Sequence, residues 1–407
     1  MQKSSFHILF GMIASMWLSA LYFLSLIIHL PVLLTIAVFI GIIIPAYIYI
    51  TRRIDFTPGI QPGRNKWLQL FILTAGIVLI TRSALHQLYI HGSNDALGMW
   101  NYYARFLSAD NWQQLFTING YYHPNHPMGL PSLIAPVWRI AGSYNDQWPI
   151  AISLLSLLII PALIFTEVWK ESMPLAVFSL ILFATDLSFH GYSFAQIADL
   201  PLALSFLGAF ITMSSYQKSK NDLMIFLCAA LLGCCLWLKN EGLLLVVVFC
   251  VFFAKELLGK SLKYSIAGLL PFLVTLLVYK LGYATPTDLL KQPSQSLGQM
   301  LTNKAAYGKI FLYFRETLHS HFYVLQAAFL LYMILQVIRR QWLQRQIVCL
   351  TLCLCGMLSV YLITPTDLDW QLGTSLSRVL FELMPSFVLC LSLAFAQMRP
   401  SGVHSVQ

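Results

Sequence analysis

The chain has 407 residues, of which 58% are hydrophobic and only 10% charged, with a mean hydropathy of +0.71 and a formal net charge of +9. A soluble domain carries roughly a quarter of charged residues, so this composition excludes one and reads as an all-α, polytopic membrane protein. The 25 Lys and Arg are scattered through short connections instead of forming one basic and aromatic patch, which excludes nucleic acid as a partner and leaves membrane lipids as their expected contact.

The opening MQKSSFH has the basic flank of a signal peptide. The apolar run behind it is too long and lacks a small-residue cleavage site, so it reads as a retained first helix. A crossing needs about 20 apolar residues. Runs of that kind predict twelve spans, near residues 7–28, 32–50, 67–89, 148–166, 174–190, 198–214, 223–238, 241–256, 264–281, 320–338, 346–363 and 379–396. The first two make an N-terminal hairpin (1–50) ahead of the main transmembrane unit (51–407). With this count, fifteen of the 25 Lys and Arg fall on one face together with both termini. The positive-inside rule makes that face cytoplasmic, in a multi-pass protein of the inner (plasma) membrane. The run from Asp222 to Ala254 is interrupted by Lys239-Asn240-Glu241-Gly242. As one helix it would be about 48 Å long against a core of about 30 Å, so two shorter helices meeting at a charged outer turn are expected.

The outer side then receives two long loops, 90–147 and 282–319, and short ones around HGYSFAQIADL, KNEG and TPTDLDWQLGTSLSR. In the first, Ala96, Met99, Trp100, Tyr103, Phe106 and Leu107 recur at helical spacing and predict an amphipathic helix on the membrane surface. YYHPNHPMGLP follows as a shaped loop, and SLIAPVWRIAG as a second apolar segment. The eight cysteines lie in apolar runs without metal-ligand spacing and read as small core residues.

Asp95, Asp199, Glu241, Asp367 and Asp369 all fall on the outer side. A carboxylate at a helix centre in the membrane costs roughly 2.5–3.5 kcal/mol of insertion energy, so such acids point to function. Asp95, in HGSND, is either a general base with a tunable pKa or the N-cap of the next helix. Asp199, just before Pro201, carries the same alternatives. Lys239 and Glu241 either pair with each other at a helix end or line a pocket for phosphate. Arg378 and Glu382, one turn apart, either neutralise one another or leave the guanidinium to grip phosphate bidentately. His123 and His126 read as loop residues or as a metal or leaving-group contact. Arg82 and His86 face the same cavity or snorkel.

In order along the chain, DALGMWNYYARFL, HPNHPMGLPSLIAP, ADLPLAL, KNEG and TPTDLDWQLGTSLSRVLFELMP resemble the GT-C superfamily of integral-membrane glycosyltransferases. The resemblance is closest to the bacterial relatives of protein mannosyltransferases and aminoarabinose transferases, and covers about residues 67–396. It implies a GT-C-like fold with surface helices at 96–109 and 131–141. It also implies transfer of a sugar from a polyprenyl-phosphate donor to a lipid or glycan acceptor at the outer, periplasmic face. Asp95 matches the acidic residue of the family's first large outer loop, which acts as base or binds the acceptor, and is the candidate catalytic residue. Asp199, Lys239, Glu241, Arg378, His126 and Arg105 become candidate substrate contacts, Lys239 and Arg378 at the donor phosphate. No cofactor is fixed; a divalent metal stays open as an addition, with no metal ligands assigned. The chain departs from the family in having a single carboxylate where many members have a pair, an extra N-terminal hairpin, and no large soluble C-terminal domain. The rival functions are a transporter or flippase of lipid-linked saccharides, expected to show midplane charges and repeats, and a polymerase or ligase acting on them.

Overall fold

The computed structural model describes residues 1–54, 56, 64–87, 90–117, 125–192, 194–285, 297–364 and 367–398, and its regular structure among these is helical. The helices are α1 (Lys3–Ile27), α2 (Val32–Arg53), α3 (Arg64–Leu85), α4 (Asn101–Ser108), α5 (Gly129–Ala141) and α6 (Gln147–Trp169). They continue with α7 (Met173–Thr185), α8 (Leu187–Gly191), α9 (Asp199–Ser219), α10 (Asp222–Leu238), α11 (Glu241–Phe252) and α12 (Ala254–Leu257). The last are α13 (Leu262–Gly282), α14 (Leu297–Thr302), α15 (Lys304–His321), α16 (Tyr323–Arg339), α17 (Arg345–Val360) and α18 (Leu368–Gln397).

Local chemistry sets many of the breaks. Lys220 and Arg340 adopt left-handed φ angles of 55° and 53° behind α9 and α16. Asn221 accepts from Leu223 N at 3.0 Å to start α10, Asn303 from Ala305 N at 3.1 Å to start α15, and Asp367 from Trp370 N at 2.8 Å to start α18.

Among the described residues, seven helices are long and apolar enough to cross a membrane: α1, α2, α3, α6, α13, α17 with its 3-10 extension, and α18. An eighth is obtained if α15 and α16, bent by 105°, count as one broken span. The expected spans over α7, α10 and α11 are apolar but shorter, at 13, 17 and 12 residues. The segment 174–190 ends early because Asp186 interrupts it and accepts from Phe189 N at 3.1 Å to begin α8.

The α10–α11 break is a hairpin. Phe249 meets Phe206 and Phe210 of α9 at centroid distances of 6.0 and 5.1 Å, and Phe253 meets Phe210 at 6.3 Å. Moving along α11 therefore also moves along α9 in the same sense, so α11 has reversed direction relative to α10. Gly242 permits the turn, since a Cβ there would lie 2.0 Å from the Cys235 carbonyl oxygen.

The bundle has two chemically distinct ends. At one, Gln2 donates to Thr166 O at 3.1 Å, Asn221 to Arg53 O at 3.1 Å, Lys218 pairs with Glu171 at 2.8 Å, Arg345 with Glu256 at 2.7 Å, and Arg339 donates to Met398 O at 2.8 Å. This end gathers the Lys/Arg-rich connections. The opposite end gathers the connections that carry Asp95, Asp199, Glu241 and Asp369. Between the ends, α9 is almost wholly buried, and α1 is tied in at the acidic end by Ser19 Oγ to Gly129 O (2.6 Å) and Tyr22 Oη to Leu107 O (2.7 Å). In contrast, α2 exposes Leu33, Ile42, Ile44 and Tyr49. Apolar surface on the outside of an apolar-cored bundle is the signature of a lipid environment.

The helices read at 96–109 and 131–141 are present as a π-helical turn (Ala96–Trp100) running into α4, and as α5. Their apolar residues Trp100, Tyr103, Leu107 and Ile134 are fully buried against the bundle. The apolar faces of these two helices are packed against the protein.

Candidate functional site

Four stretches far apart in sequence meet at the acidic end. The first residue of α9 supplies Asp199, the α10–α11 turn supplies Lys239 and Glu241, α18 supplies Arg378 and Glu382, and the turn before α4 supplies Asp95. Lys239 Nζ lies 2.6 Å from Glu382 Oε1, 2.8 Å from Asp199 Oδ1 and 3.4 Å from Glu241 Oε1. Arg378 bridges the other oxygen of Asp199, Nη2 to Oδ2 at 3.0 Å, to Asp95 Oδ2 through Nη1. The chain Glu382–Lys239–Asp199–Arg378–Asp95 is one continuous network, graded from a closed floor to an open rim. Asp199 and Glu382 side chains are 0% exposed, Lys239 5%, Arg378 22%, Asp95 27% and Glu241 33%.

This geometry decides several of the alternatives left by the sequence. Asp95 makes no side-chain cap to the following helix; Ser93 Oγ does so, accepting from Ala96 N at 3.4 Å. Arg378 and Glu382 do not pair with each other: Glu382 turns to Lys239 and Arg378 to Asp199 and Asp95. Lys239 is not satisfied by Glu241 alone, because its two shorter contacts go to Asp199 and Glu382. Burial works to lower the pKa of Lys239, but the carboxylates of Asp199, Glu241 and Glu382 outweigh it and hold the ammonium charge well above lysine's ordinary range.

Around the turn Lys239–Glu241 the site extends to residues the sequence did not single out. Lys280, at the end of α13, donates to Asn240 Oδ1 at 2.9 Å and to Asn125 O, and has no carboxylate partner among the described residues. His126 sits next to Asn125, within electrostatic reach of Glu241, its ring edge-on to Trp100 at 5.8 Å. Gln196 fixes the strand of chain behind Asp95: it accepts from Asn101 Nδ2 at 2.6 Å and donates to Ile90 O at 2.9 Å, from a left-handed φ of 54°. Nothing in the sequence marks Gln196 or Lys280; each matters only through its spatial neighbours.

Other candidates lie elsewhere. Arg105 is on the exposed face of α4, over the Tyr144 ring at 5.9 Å from its centroid, and joins none of these ion pairs. Asp367 caps α18, and Asp369 pairs with exposed Lys309 at 2.5 Å, so the two form a separate rim and do not enter the network. His123 lies outside the described residues.

Several buried polar atoms in or beside this network have no hydrogen-bond partner among the described residues: Glu382 Oε2, Glu241 Oε2, Arg378 Nε, Asn125 Oδ1, Asn101 Oδ1 and Trp100 Nε1. Buried orphans are rare in folded proteins, and a local concentration of them marks a place where a ligand or water completes the bonding. Both acceptors and donors are left over, which suits a group rich in hydroxyls. Among the described residues no set of three or more His, Cys, Asp or Glu is placed to hold a metal ion. The Lys239 ammonium takes the position between three carboxylates that a cation would otherwise occupy.

Comparison of the chain with family profiles, with curated proteins and with solved structures finds no match.

Proposed function

We propose that the protein is an integral-membrane glycosyltransferase of GT-C type. It moves a sugar from a polyprenyl-phosphate donor to a lipid or glycan acceptor at the outer face of the inner membrane. The observation that carries this reading is the graded ion network from buried Glu382 to partly open Asp95, at the end of the bundle opposite the Lys/Arg-rich loops. A twelve-pass topology with both termini cytoplasmic accompanies it. In its support, the chain offers twelve helical stretches that alternate between the two ends: α1, α2, α3, α6, α7, α9, α10, α11, α13, α16, α17 and α18. A transporter would need charges near the midplane and access from both sides; this network belongs to one end.

The length of α18 bears on depth. Its 30 residues make a rod of about 45 Å, against a hydrocarbon core of about 30 Å. With Gln397 at the basic boundary, Arg378 and Glu382 come near the opposite one. That is the depth at which the phosphate of a lipid-linked sugar resides.

In the reaction, the acceptor hydroxyl gives its proton to Asp95 as its oxygen forms a bond to the sugar's anomeric carbon. The bond from that carbon to the phosphate oxygen breaks on the other side, and the leaving polyprenyl phosphate takes both bonding electrons. Arg378 has two roles. In the resting site its Nη1 occupies Asp95; an arriving phosphate oxygen competes for that guanidinium, freeing Asp95 to act as base and placing a cation where negative charge develops. Lys239, enclosed by three carboxylates, holds Asp199 and Glu382 in position and is too enclosed to meet the phosphate itself. Lys280, half-buried and without an acid partner among the described residues, is the second cation available to it. The carboxylate surplus favours the positive charge that builds on the sugar ring as the phosphate departs.

The test is chemical. Membranes of cells lacking the protein should accumulate a polyprenyl-phosphate sugar, cleared by the wild-type gene and not by Asp95→Asn. Unchanged lipid-linked sugar pools in the deletion strain would contradict the assignment.

A further inference from the structure

The helix α15 is the part of the molecule whose surface is least explained by the bundle. Asn303 caps it, accepting from Ala305 N and Ala306 N, so it starts as a defined element. At 100° per residue its side chains sort into three arcs. One contains the buried Ala306 and Ile310 and docks on α18. The next carries exposed Tyr307 and Phe311, at 49% and 66%, with half-buried Leu318 between them and half-buried Phe314 at its inner edge. The third carries Lys304, Arg315, Glu316 and His319, all exposed, with Leu312 among them.

A helix inside a bilayer has no use for so wide a charged arc, and a helix in water has no use for an exposed Tyr–Phe stripe. A helix lying in the plane of the interface uses both, the stripe in the acyl boundary and the basic arc among the headgroups. The orientation agrees. α16, whose Phe329 and Tyr332 rings meet Phe387 and Phe395, runs in the same sense as α18, and α15 lies at 105° to it. Lys309, paired with Asp369 at 2.5 Å, pins α15 to the acidic end of α18.

We infer that α15 is an interfacial helix that rests on the outer leaflet, its Tyr307–Phe311 stripe in the lipid and Lys304, Arg315 and His319 at the headgroups. It is therefore not the outer leg of a broken span, although its composition with α16 would allow one. This conclusion is independent of the catalytic reading. It ties the outer membrane surface to the acidic end of α18 at Asp369.

The experiment is electron paramagnetic resonance on the full chain in vesicles of phosphatidylglycerol and phosphatidylethanolamine. Exposed Cys355 is replaced by serine, and nitroxides are placed one at a time at 304, 307, 311, 315 and 319, with 330 and 334 of α16 as an internal depth ruler. The inference predicts oxygen-rich, equally shallow signals at 307 and 311, high accessibility to a nickel chelate at 304, 315 and 319, and steadily changing depth along α16. It is overturned by depth that changes steadily from 304 to 319, which would make α15 a membrane-crossing leg. It is equally overturned by nickel accessibility at 307 and 311 matching that at 315, which would lift the helix off the bilayer. All labelled positions on α15 are exposed, so labelling disturbs no packed side chain, and a normal ruler on α16 reports correct insertion in each sample.

Discussion

Replacing Lys239 by methionine isolates the role of the buried floor of the site. Methionine retains most of the side-chain volume and removes the ammonium. Asp199 would keep Arg378 at 3.0 Å. Glu382, 0% exposed with its Oε2 already unpartnered, would lose its cation contact at 2.6 Å and retain none. Breaking a buried pair by removing one partner costs about 3–5 kcal/mol, because the remaining charge is uncompensated. Lys239→Met should therefore lower unfolding free energy by about 3–5 kcal/mol, measured by helix circular dichroism in mixed micelles of rising sodium dodecyl sulfate fraction. Glu382→Leu alone should also destabilise, whereas the double variant should lose less than the sum of the singles by about 1–3 kcal/mol. A Lys239→Met variant within about 1 kcal/mol of wild type, or strict additivity in the cycle, would refute the view that Lys239 is the counter-ion of the buried acids.

Other consequences can be measured separately. Arg378→Lys keeps a cation but cannot span Asp95 and Asp199 at once, so transfer should fall roughly 10- to 100-fold with the donor's KM rising; unchanged donor KM would place the phosphate elsewhere. Gly242→Ala forces a Cβ to within 2.0 Å of the Cys235 carbonyl oxygen, so the α10–α11 turn must open at a cost of about 1–3 kcal/mol; a neutral substitution would contradict the hairpin. His190 is held below its ordinary pKa chiefly by burial, partly offset by its bond to Phe183 O. The unfolded chain then binds more protons than the folded one as pH drops below about 6.5, so the unfolding midpoint should decline from pH 7 to 5. That decline should flatten in His190→Gln, and an equal slope in both proteins would remove His190 as its cause.

Much of the architecture was readable because lipid imposes simple rules on a helix. Length and hydropathy located α1, α2, α3, α6, α13 and α17 closely, and the charged KNEG interruption pointed to a hairpin that the Phe206–Phe249 and Phe210–Phe253 contacts bear out. Hydropathy misjudged α7, because it registers that Asp186 is a single polar residue and misses the cap that ends the helix there. The amphipathic pattern at Ala96–Leu107 was read as facing lipid when it faces protein, since periodicity reports an apolar face without saying what covers it. For the same reason α15 passed as plain loop. At the site, Asp95, Asp199, Lys239, Glu241 and Arg378 stood out because a charge near apolar helices is costly. Their pairing was hidden: local spacing offered Arg378 with Glu382 and Lys239 with Glu241, whereas the fold draws each cation toward acids 40 to 283 residues away. Lys280 and Gln196 carried no signal, because their roles come from carbonyls and amides that sequence distance conceals.

The claim on which the functional account depends is that Asp95 accepts a proton at the reacting hydroxyl. The direct measurement is single-turnover transfer by Asp95→Asn in proteoliposomes, using labelled polyprenyl-phosphate sugar extracted from the deletion strain and the acceptor lipid of the same membranes. Asparagine leaves an oxygen for Arg378 but removes the base, so transfer should slow by about 100- to 10,000-fold while donor binding persists. Transfer at the wild-type rate would contradict the account.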